Sequence, residues 1–136
     1  MLRIVRAWRV EEIVALYEAA GWWRDSVEAR RAIGPMIAGS FRFMVGTEGE
    51  RAVAMGRVIS DGASDAYIQD VVVLPAWRGR GIGREIIRAL TEECVEQGIV
   101  WIGLVAEPGT TPFYERLGFR AMPGFVAMRF PTREQP

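Results

Sequence analysis

The feature that most constrains this chain is a loop rich in glycine and arginine that lies between a buried strand and an amphipathic helix. Ala66 to Leu74 is dense in β-branched residues and predicts a central strand, which Pro75 ends. The loop runs from Trp77 to Gly83, with glycine at positions 79, 81 and 83. Four apolar residues then recur at every fourth position and predict one helix face: Ile82, Ile86, Leu90 and Cys94.

The N-terminal half of the chain predicts strands and helices joined by tight turns. Residues 2–6 alternate apolar and basic side chains and predict a first strand, and helical spacing over residues 10–20 predicts a first helix. Asp25 and Glu28 have the spacing of a capping box for a second helix, which Gly34–Pro35 is expected to end or kink. The apolar runs 41–47 and 52–60 predict a hairpin.

After the amphipathic helix the pattern predicts a second buried strand over residues 100–106 and a short helix over residues 113–117. The last two strands are expected at residues 119–122 and 125–130. Strands paired by hairpins, followed by a strand–helix–strand unit, predict an α/β (α+β) fold in a single domain over residues 1–136. Its sheet should be antiparallel at first and parallel in the middle.

The composition excludes several classes of function. Lys plus Arg and Asp plus Glu each number 17, so the formal net charge is zero and a broad nucleic-acid or membrane-surface binder is not expected. The absence of histidine excludes histidine triads, histidine metal sites and a histidine general base. The lone Cys94 lies on the apolar helix face and is interpreted as a core residue. No signal peptide or membrane span fits, and we predict a cytoplasmic protein without a metal.

The loop has the chemistry of an anion site. Glycine lets backbone N–H groups approach a ligand closely, and the first N–H groups of a helix are unpaired and lie at its positive end. Arginine at positions 78, 80 and 84 adds charge. A Walker loop would need Gly-Lys-Ser/Thr where this chain has Gly83–Arg84, and the glycine spacing does not fit a dinucleotide fingerprint.

Two segments in this order resemble the GNAT N-acetyltransferase superfamily. Val71–Gly83, which reads VVVLPAWRGRGIG, is similar to the acetyl-CoA-binding motif, and Pro112–Phe119, which reads PFYERLGF, is similar to a second family segment. The stretches 20–23, 60–62 and 107–109 are similar to the branch of arylalkylamine (serotonin-type) acetyltransferases. The resemblance implies a GNAT-like mixed sheet with a splayed parallel central pair, flanked by about four helices, and acetyl-CoA as co-substrate.

The resemblance also implies which residues hold acetyl-CoA. Main-chain groups of Val71 and Val73 are expected to pair with the pantetheine arm, and a backbone N–H near Val71 or Val72 is expected to polarise the thioester carbonyl. Phe113 is expected to pack against the arm. The pyrophosphate is expected on the loop and the helix start, formed by Arg78, Gly79, Arg80, Gly81, Ile82, Gly83 and Arg84.

Tyr114 matches the family's tyrosine that protonates the departing CoA thiolate; the alternative is that it only packs beneath a turn. A tyrosine keeps its proton at neutral pH and can donate it to a sulfur that gains charge. The attacking amine must lose a proton, and without histidine the first candidate acceptor is Asp70 and the second is Glu107. For either carboxylate, a structural hydrogen bond or a contact that anchors the substrate is the alternative.

The acceptor pocket is expected near Trp22 and Trp23, with Tyr67 and Gln69 on one face of the central strand. For the tryptophans, a lid or surface-packing role is the alternative. The acceptor itself stays open between a small amine and a protein amine, and a homodimer is possible. Two other functions remain as alternatives: a non-catalytic acyl-CoA-binding module of the same fold, and a nucleotide or phosphate binder that uses the arginine loop.

Overall fold

The computed structural model describes residues 1–132, and the chain divides into two compact units. The first unit is Met1–Leu104 and the second begins at Val105. The first contains one sheet and its covering helices, and the second contains a short helix with the segments around it. The single-domain expectation for residues 1–136 stays a prediction.

The sheet of the first unit has five strands in the order in which they occur along the chain. Their bounds are β1 Leu2–Val5, β2 Arg42–Glu48, β3 Arg51–Ser60, β4 Asp65–Val73 and β5 Trp101–Gly103. Strands β1 to β4 pair antiparallel, and β4 pairs parallel with β5. The predicted mixed sheet is therefore confirmed, and its parallel pair lies at the β5 edge of the described sheet.

Three α-helices belong to the first unit: α1 Val10–Ala19, α2 Val27–Gly39 and α3 Ile82–Glu96. A short 3₁₀ helix over Pro75–Trp77 precedes α3. The predicted capping box was wrong, because the Ser26 hydroxyl, one residue later, accepts the Ala29 N–H at 3.0 Å. Helix α2 also continues through Pro35, since apolar residues on both sides of the proline pack on the core.

Two apolar layers cover the two faces of the sheet. Helices α1 and α2 contribute to a cluster that includes Leu16 and Ile33, together with Val45 of β2 and Met55 of β3. Helix α3 contributes five buried residues: Ile82, Ile86, Ile87, Leu90 and Cys94. The α3 layer is packed closely, since a Cβ atom added at Gly56 of β3 would lie 2.9 Å from Ile86 Cγ2. Cys94 is buried, as expected for a core residue.

The second unit contains α4, Thr111–Arg116, which begins with Pro112 in its first turn. The strands predicted at residues 119–122 and 125–130 were wrong: no described residue after α4 is in a strand. A strand needs a partner to bond its backbone, and apolar composition alone does not supply one. The apolar side chains of the second segment are accordingly exposed, among them Phe125 and Phe130. Strand β5 is also shorter than predicted and ends at Gly103.

No helix in residues 1–132 is both long enough and apolar enough to cross a membrane.

Candidate functional site

The edge of β4 that faces β5 is paired over only part of its length. The parallel pairs run from Asp65 opposite Trp101 to Tyr67 opposite Gly103, and they end there. From Ile68 to Val73, β4 has no described strand beside it on that edge, although β3 pairs with its other edge. Strands β4 and β5 are therefore splayed beyond this point, and the β4 backbone along the gap has groups to offer a ligand.

The direction of the β4 backbone groups follows from its bonds to β3. The Leu74 N–H donates to the Val53 carbonyl at 2.9 Å. Because N–H groups point alternately to the two sides of a strand, the N–H groups of Val71 and Val73 face the open edge, whereas that of Val72 faces β3. Of the two residues expected to polarise a thioester, Val71 is thus the one with its N–H group on the open side.

A β-bulge lies at the start of this open edge. Arg57 of β3 pairs with Gln69, but Met55 pairs with Val72, so one residue of β3 opposes two of β4. The bulge contains Asp70, whose φ of 57° makes it the one non-glycine residue with positive φ in the described part of the chain. Asp and Asn tolerate this left-handed region better than other side chains do.

The Asp70 carboxylate lies in a cluster that joins three elements. Its Oδ2 atom accepts a hydrogen bond from the Tyr17 hydroxyl of α1 at 2.7 Å and another from Arg57 Nε of β3 at 2.7 Å. The Arg57 and Asp70 side chains are only 14% and 17% exposed. Burial, and then the Asp70 carboxylate, raise the pKa of Tyr17, so this hydroxyl stays protonated and acts as a donor.

Sequence reasoning singled out Asp70 but missed Tyr17 and Arg57. Arg57 interrupts the apolar run of β3, and Tyr17 is a polar-tipped residue on the apolar face of α1. An arginine in a strand is commonly a surface residue, and a tyrosine on an apolar helix face is commonly a core residue, so neither pattern indicated a functional site. A charged residue in a strand that is otherwise buried was the one signal that could have prompted a search for its partner.

The glycine loop has two residues with positive φ and leads into a helix start without a side-chain cap. Gly79 has a φ of 77° and Gly81, the residue before α3, has a φ of 80°. No side chain caps this helix end, and the first bond of the helix runs from the Glu85 N–H to the Gly81 carbonyl at 3.2 Å. The N–H groups of Ile82, Gly83 and Arg84 therefore precede the helical hydrogen bonds, at the positive end of the dipole.

The arginines of the loop are exposed and only loosely held. Arg78 Nε donates to the Val73 carbonyl at 3.1 Å, and Arg80 Nη2 donates to the Ala76 carbonyl at 3.3 Å. The Arg80 guanidinium also lies 4.7 Å from the centre of the Trp77 ring. Arg84 Nε is 3.8 Å from a carboxylate oxygen of Glu85. These contacts leave most guanidinium N–H groups at the surface, where they are suited to an anion.

The structure separates the two tryptophans that were expected near an acceptor. Trp22 is exposed over 42% of its surface and meets the Tyr17 ring edge-on, with 6.2 Å between the ring centres. Trp23 instead packs against the core cluster, with the Arg30 guanidinium 5.6 Å from its ring centre. Trp22 is thus in the neighbourhood of the Asp70 cluster, through Tyr17.

The other two residues predicted for the acceptor pocket belong to β4. Gln69 Oε1 lies 3.4 Å from Arg57 Nη2, beside the Asp70 carboxylate. Tyr67 is the last residue of β4 that pairs with β5, so it lies where the two strands separate. The structure therefore brings Trp22, Gln69 and Asp70 toward one cluster.

Tyr114 lies between two aromatic neighbours within the second unit. Its ring centre is 5.0 Å from that of Phe113 and 5.8 Å from that of Phe119, both edge-on. Burial raises the pKa of Tyr114, and the negative charge of Glu107 adds to the effect. The phenol is accordingly neutral at physiological pH and has a proton to donate.

An open strand edge that leads into an uncapped, arginine-flanked helix start is suited to an extended ligand with an anionic end. Residues 39–121 match the family model described as the acetyltransferase (GNAT) domain. The chain belongs to this acetyltransferase family, as its two sequence motifs predicted.

Curated relatives have acetyltransferase names and are longer than this chain. It is 34% identical over 122 residues to "Histone acetyltransferase TAP1" of Glycine max, covering 84% of this chain and 53% of the relative. It is 40% identical over 76 residues to "Serotonin N-acetyltransferase 2, chloroplastic" of Oryza sativa subsp. japonica, covering 56% and 38%. The chain thus spans about half the length, or less, of these relatives.

Solved structures share the fold. A probable acetyltransferase from Staphylococcus aureus superposes with a TM-score of 0.82 at 23% identity, covering 97% of this chain and 100% of the other. A predicted acetyltransferase from Clostridium acetobutylicum, solved with acetyl-CoA, superposes with a TM-score of 0.73 at 20% identity, covering 95% and 96%. At these identities the likeness establishes the fold alone.

Proposed function

We propose that the protein is an acetyl-CoA-dependent N-acetyltransferase in which an amine attacks the thioester directly within a ternary complex. One observation carries the proposal. The pairing of β4 with β5 ends at Tyr67, and the open edge of β4 leads toward the uncapped N-terminus of α3. An extended pantetheine arm fits an unpaired strand edge, and a pyrophosphate fits the helix start. Family membership and the acetyl-CoA bound by a structural neighbour support this assignment.

The proposed contacts of the donor are mainly to backbone. The amides of Val71 and Val73 would bond the arm along the open edge, and the Val71 N–H would stabilise the oxyanion that forms on the thioester carbonyl. The amides from Gly79 to Arg84 would bind the pyrophosphate, with Arg78 and Arg80 close by. In the second unit, Phe113 would pack against the arm.

The reaction balances with two proton transfers. The amine nitrogen forms a bond to the carbonyl carbon, the tetrahedral intermediate collapses, and the carbon–sulfur bond breaks. Tyr114, which is neutral because its pKa is raised, would give its proton to the departing thiolate. The attacking nitrogen would lose a proton to a carboxylate, for which Asp70 and Glu107 are the candidates.

The acceptor class is an amine. One relative is named for histone and another for serotonin, so both protein amines and small aromatic amines are represented among the relatives. The exposed Trp22 beside the Asp70 cluster favours an acceptor with an aromatic or apolar body. With its single cysteine, the chain suits a reducing compartment, and we propose the cytoplasm.

The test is CoA release from acetyl-CoA, followed by a thiol reagent, across serotonin, tryptamine, polyamines, amino acids and a lysine peptide. Wild type and Tyr114→Phe should be compared, with the urea midpoint of each measured to show that both proteins are folded. We expect amine-dependent release whose kcat falls by about 10²- to 10³-fold in Tyr114→Phe, since an acid at the leaving group contributes on this scale.

Three outcomes would change the proposal. Unchanged kcat in Tyr114→Phe would remove this residue from the mechanism and leave the enzyme. Tight CoA binding without release for any amine would favour the acyl-CoA-binding module. Binding of ATP or phosphate without any preference for CoA would favour the nucleotide binder.

A further inference from the structure

The bulge at Asp70 is held in a backbone conformation that few residues adopt. Its φ is 57°, in the left-handed region, and the paired residues around it show that β4 has one residue more than β3 at this point. Glycine is the usual residue at such a bulge, because it has no side chain to strain the backbone. A strand with aspartate there needs other interactions to retain the conformation.

Those interactions come from α1 and β3. Tyr17 and Arg57 both donate to the same oxygen, Asp70 Oδ2, at 2.7 Å. Arg57 Nη1 donates to Ser40 Oγ at 3.4 Å, and Arg57 Nη2 donates to Gln69 Oε1 at 3.4 Å. The Asp70 side chain is therefore held from two directions at partly buried positions, where such bonds are screened less by water.

The conformation of Asp70 has a direct effect on the open edge of β4. The peptide plane that joins Asp70 to Val71 carries the Val71 N–H, and its orientation is set by ψ of Asp70 and φ of Val71. The Val71 N–H is also the first that faces the open edge after the bulge. A change of conformation at Asp70 would therefore turn that N–H away from its present direction.

We propose that Asp70 is a positioning residue, whose carboxylate, held by Tyr17 and Arg57, fixes the left-handed bulge and so aims the Val71 N–H into the gap between β4 and β5. This inference deepens the proposed function and rests on it for the activity readout alone. It assigns to Tyr17 and Arg57 a role that acts through the backbone of Asp70. It replaces the role of proton acceptor considered above for Asp70, in which the carboxylate itself takes part in the chemistry, and leaves Glu107 as the candidate for that step.

The test compares three substitutions at position 70 in the full chain. Asp70→Ala, Asp70→Gly and Asp70→Asn all remove the negative charge that pairs with Arg57, so that cost is common to them. Glycine and asparagine tolerate positive φ and alanine does not. We expect kcat of the glycine and asparagine variants to exceed that of Asp70→Ala by about tenfold, since the left-handed conformation disfavours alanine on this scale.

Asp65 supplies the matched control, because it is an aspartate of the same strand without positive φ. Asp65→Gly should have no advantage over Asp65→Ala. If Asp70 is instead the proton acceptor, all three variants at position 70 should lose activity equally, and the acidic limb of the pH–rate profile should disappear with them. Equal activity of the alanine and glycine variants would overturn the inference.

A double-mutant comparison tests the role of Tyr17. On the proposal, Tyr17→Phe lowers kcat severalfold when Asp70 is present, but has no further effect on kcat in the Asp70→Gly background, since glycine needs no support. A merely structural tyrosine would lower stability in both backgrounds and would not show this loss of coupling in kcat. An equal effect of Tyr17→Phe on kcat in both backgrounds would overturn the role given to Tyr17.

The inference can fail separately from the proposed function. If wild type releases no CoA with any amine, the function fails, and the position-70 variants are then compared by acetyl-CoA affinity in isothermal titration. If acetyl-CoA does not bind, their urea midpoints are compared. A higher affinity or midpoint for Asp70→Gly than for Asp70→Ala supports the bulge assignment, and equal values overturn it.

Discussion

The glycine loop before α3 and the bulge in β4 use the same backbone conformation and maintain it in different ways. Both have positive φ, at Gly79 and Gly81 in the loop and at Asp70 in the bulge. The loop needs no support, because glycine adopts this region without strain and no other heavy atom lies within 4 Å of a Cβ placed at Gly79. The bulge is supported by Tyr17 and Arg57, which bond the Asp70 side chain.

The difference shows what each region can tolerate. An open loop can relieve strain by moving, so a change there should alter ligand binding more than folding. The bulge is paired to β3 and bonded to α1, so the backbone there cannot relax by moving. A strained substitution in the bulge should therefore lower the free energy of unfolding as well as the activity.

Gly81→Val should weaken CoA binding by about thirtyfold, equivalent to roughly 2 kcal/mol, because an L side chain at a φ of 80° is strained and a β-branched one more so. The urea midpoint should change little if the loop relaxes. Isothermal titration with CoA measures the first quantity and urea unfolding the second.

The control for this variant is Gly39→Ala in the last turn of α2, where φ is not positive and an added Cβ meets no atom within 4 Å outside its chain neighbours and its own helix. It should leave CoA affinity unchanged. CoA affinity equal to wild type in Gly81→Val would show that the loop is not the CoA site.

Gly56→Ala should lower the free energy of unfolding by about 1–3 kcal/mol, the usual cost of overpacking. Gly56 is the β3 residue opposite the bulge, and its added Cβ would lie 2.9 Å from Ile86 Cγ2 and 3.0 Å from Leu90 Cδ1. Urea denaturation measures the change, with Gly39→Ala as the control because a Cβ there meets nothing within 4 Å. A stability equal to wild type would show that α3 moves freely over the bulge.

The bulge should also have a pH dependence that the glycine loop lacks. Burial, and then Asp70, raise the pKa of Tyr17 above its unfolded value of about 10, so its contribution to stability is full below about pH 10 and is lost as pH rises further. Between pH 10 and 11, the free energy of unfolding should fall with rising pH in wild type. It should fall less steeply in Tyr17→Phe, and the two slopes should differ by up to about 1.4 kcal/mol per pH unit. Urea unfolding from pH 8 to 11 measures both slopes, and identical slopes would contradict this account of Tyr17.

Much of the fold could be predicted because it rests on local patterns. The β-branched run before Pro75, the glycines at 79 and 81 and the four-residue spacing in α3 each encode their own element. The same kind of reasoning failed at Asp25, where the neighbouring Ser26 caps α2, and in the segment 125–130, where β propensity found no partner. A cap or a strand depends on which backbone groups it meets, and composition does not specify that.

Local patterns in the sequence specified the order of the elements up to α4, the family and the loop that begins α3, because each depends on residues that are adjacent or a helical turn apart. Only the tertiary structure brought Tyr17, Arg57 and Asp70 together, from α1, β3 and β4. The resemblance implied that these two strands separate, but only the tertiary structure showed that their pairing ends at Tyr67 and Gly103. Contacts between residues 13 to 53 positions apart are decided by how the sheet and helices pack, and that packing leaves no periodic signal along the chain.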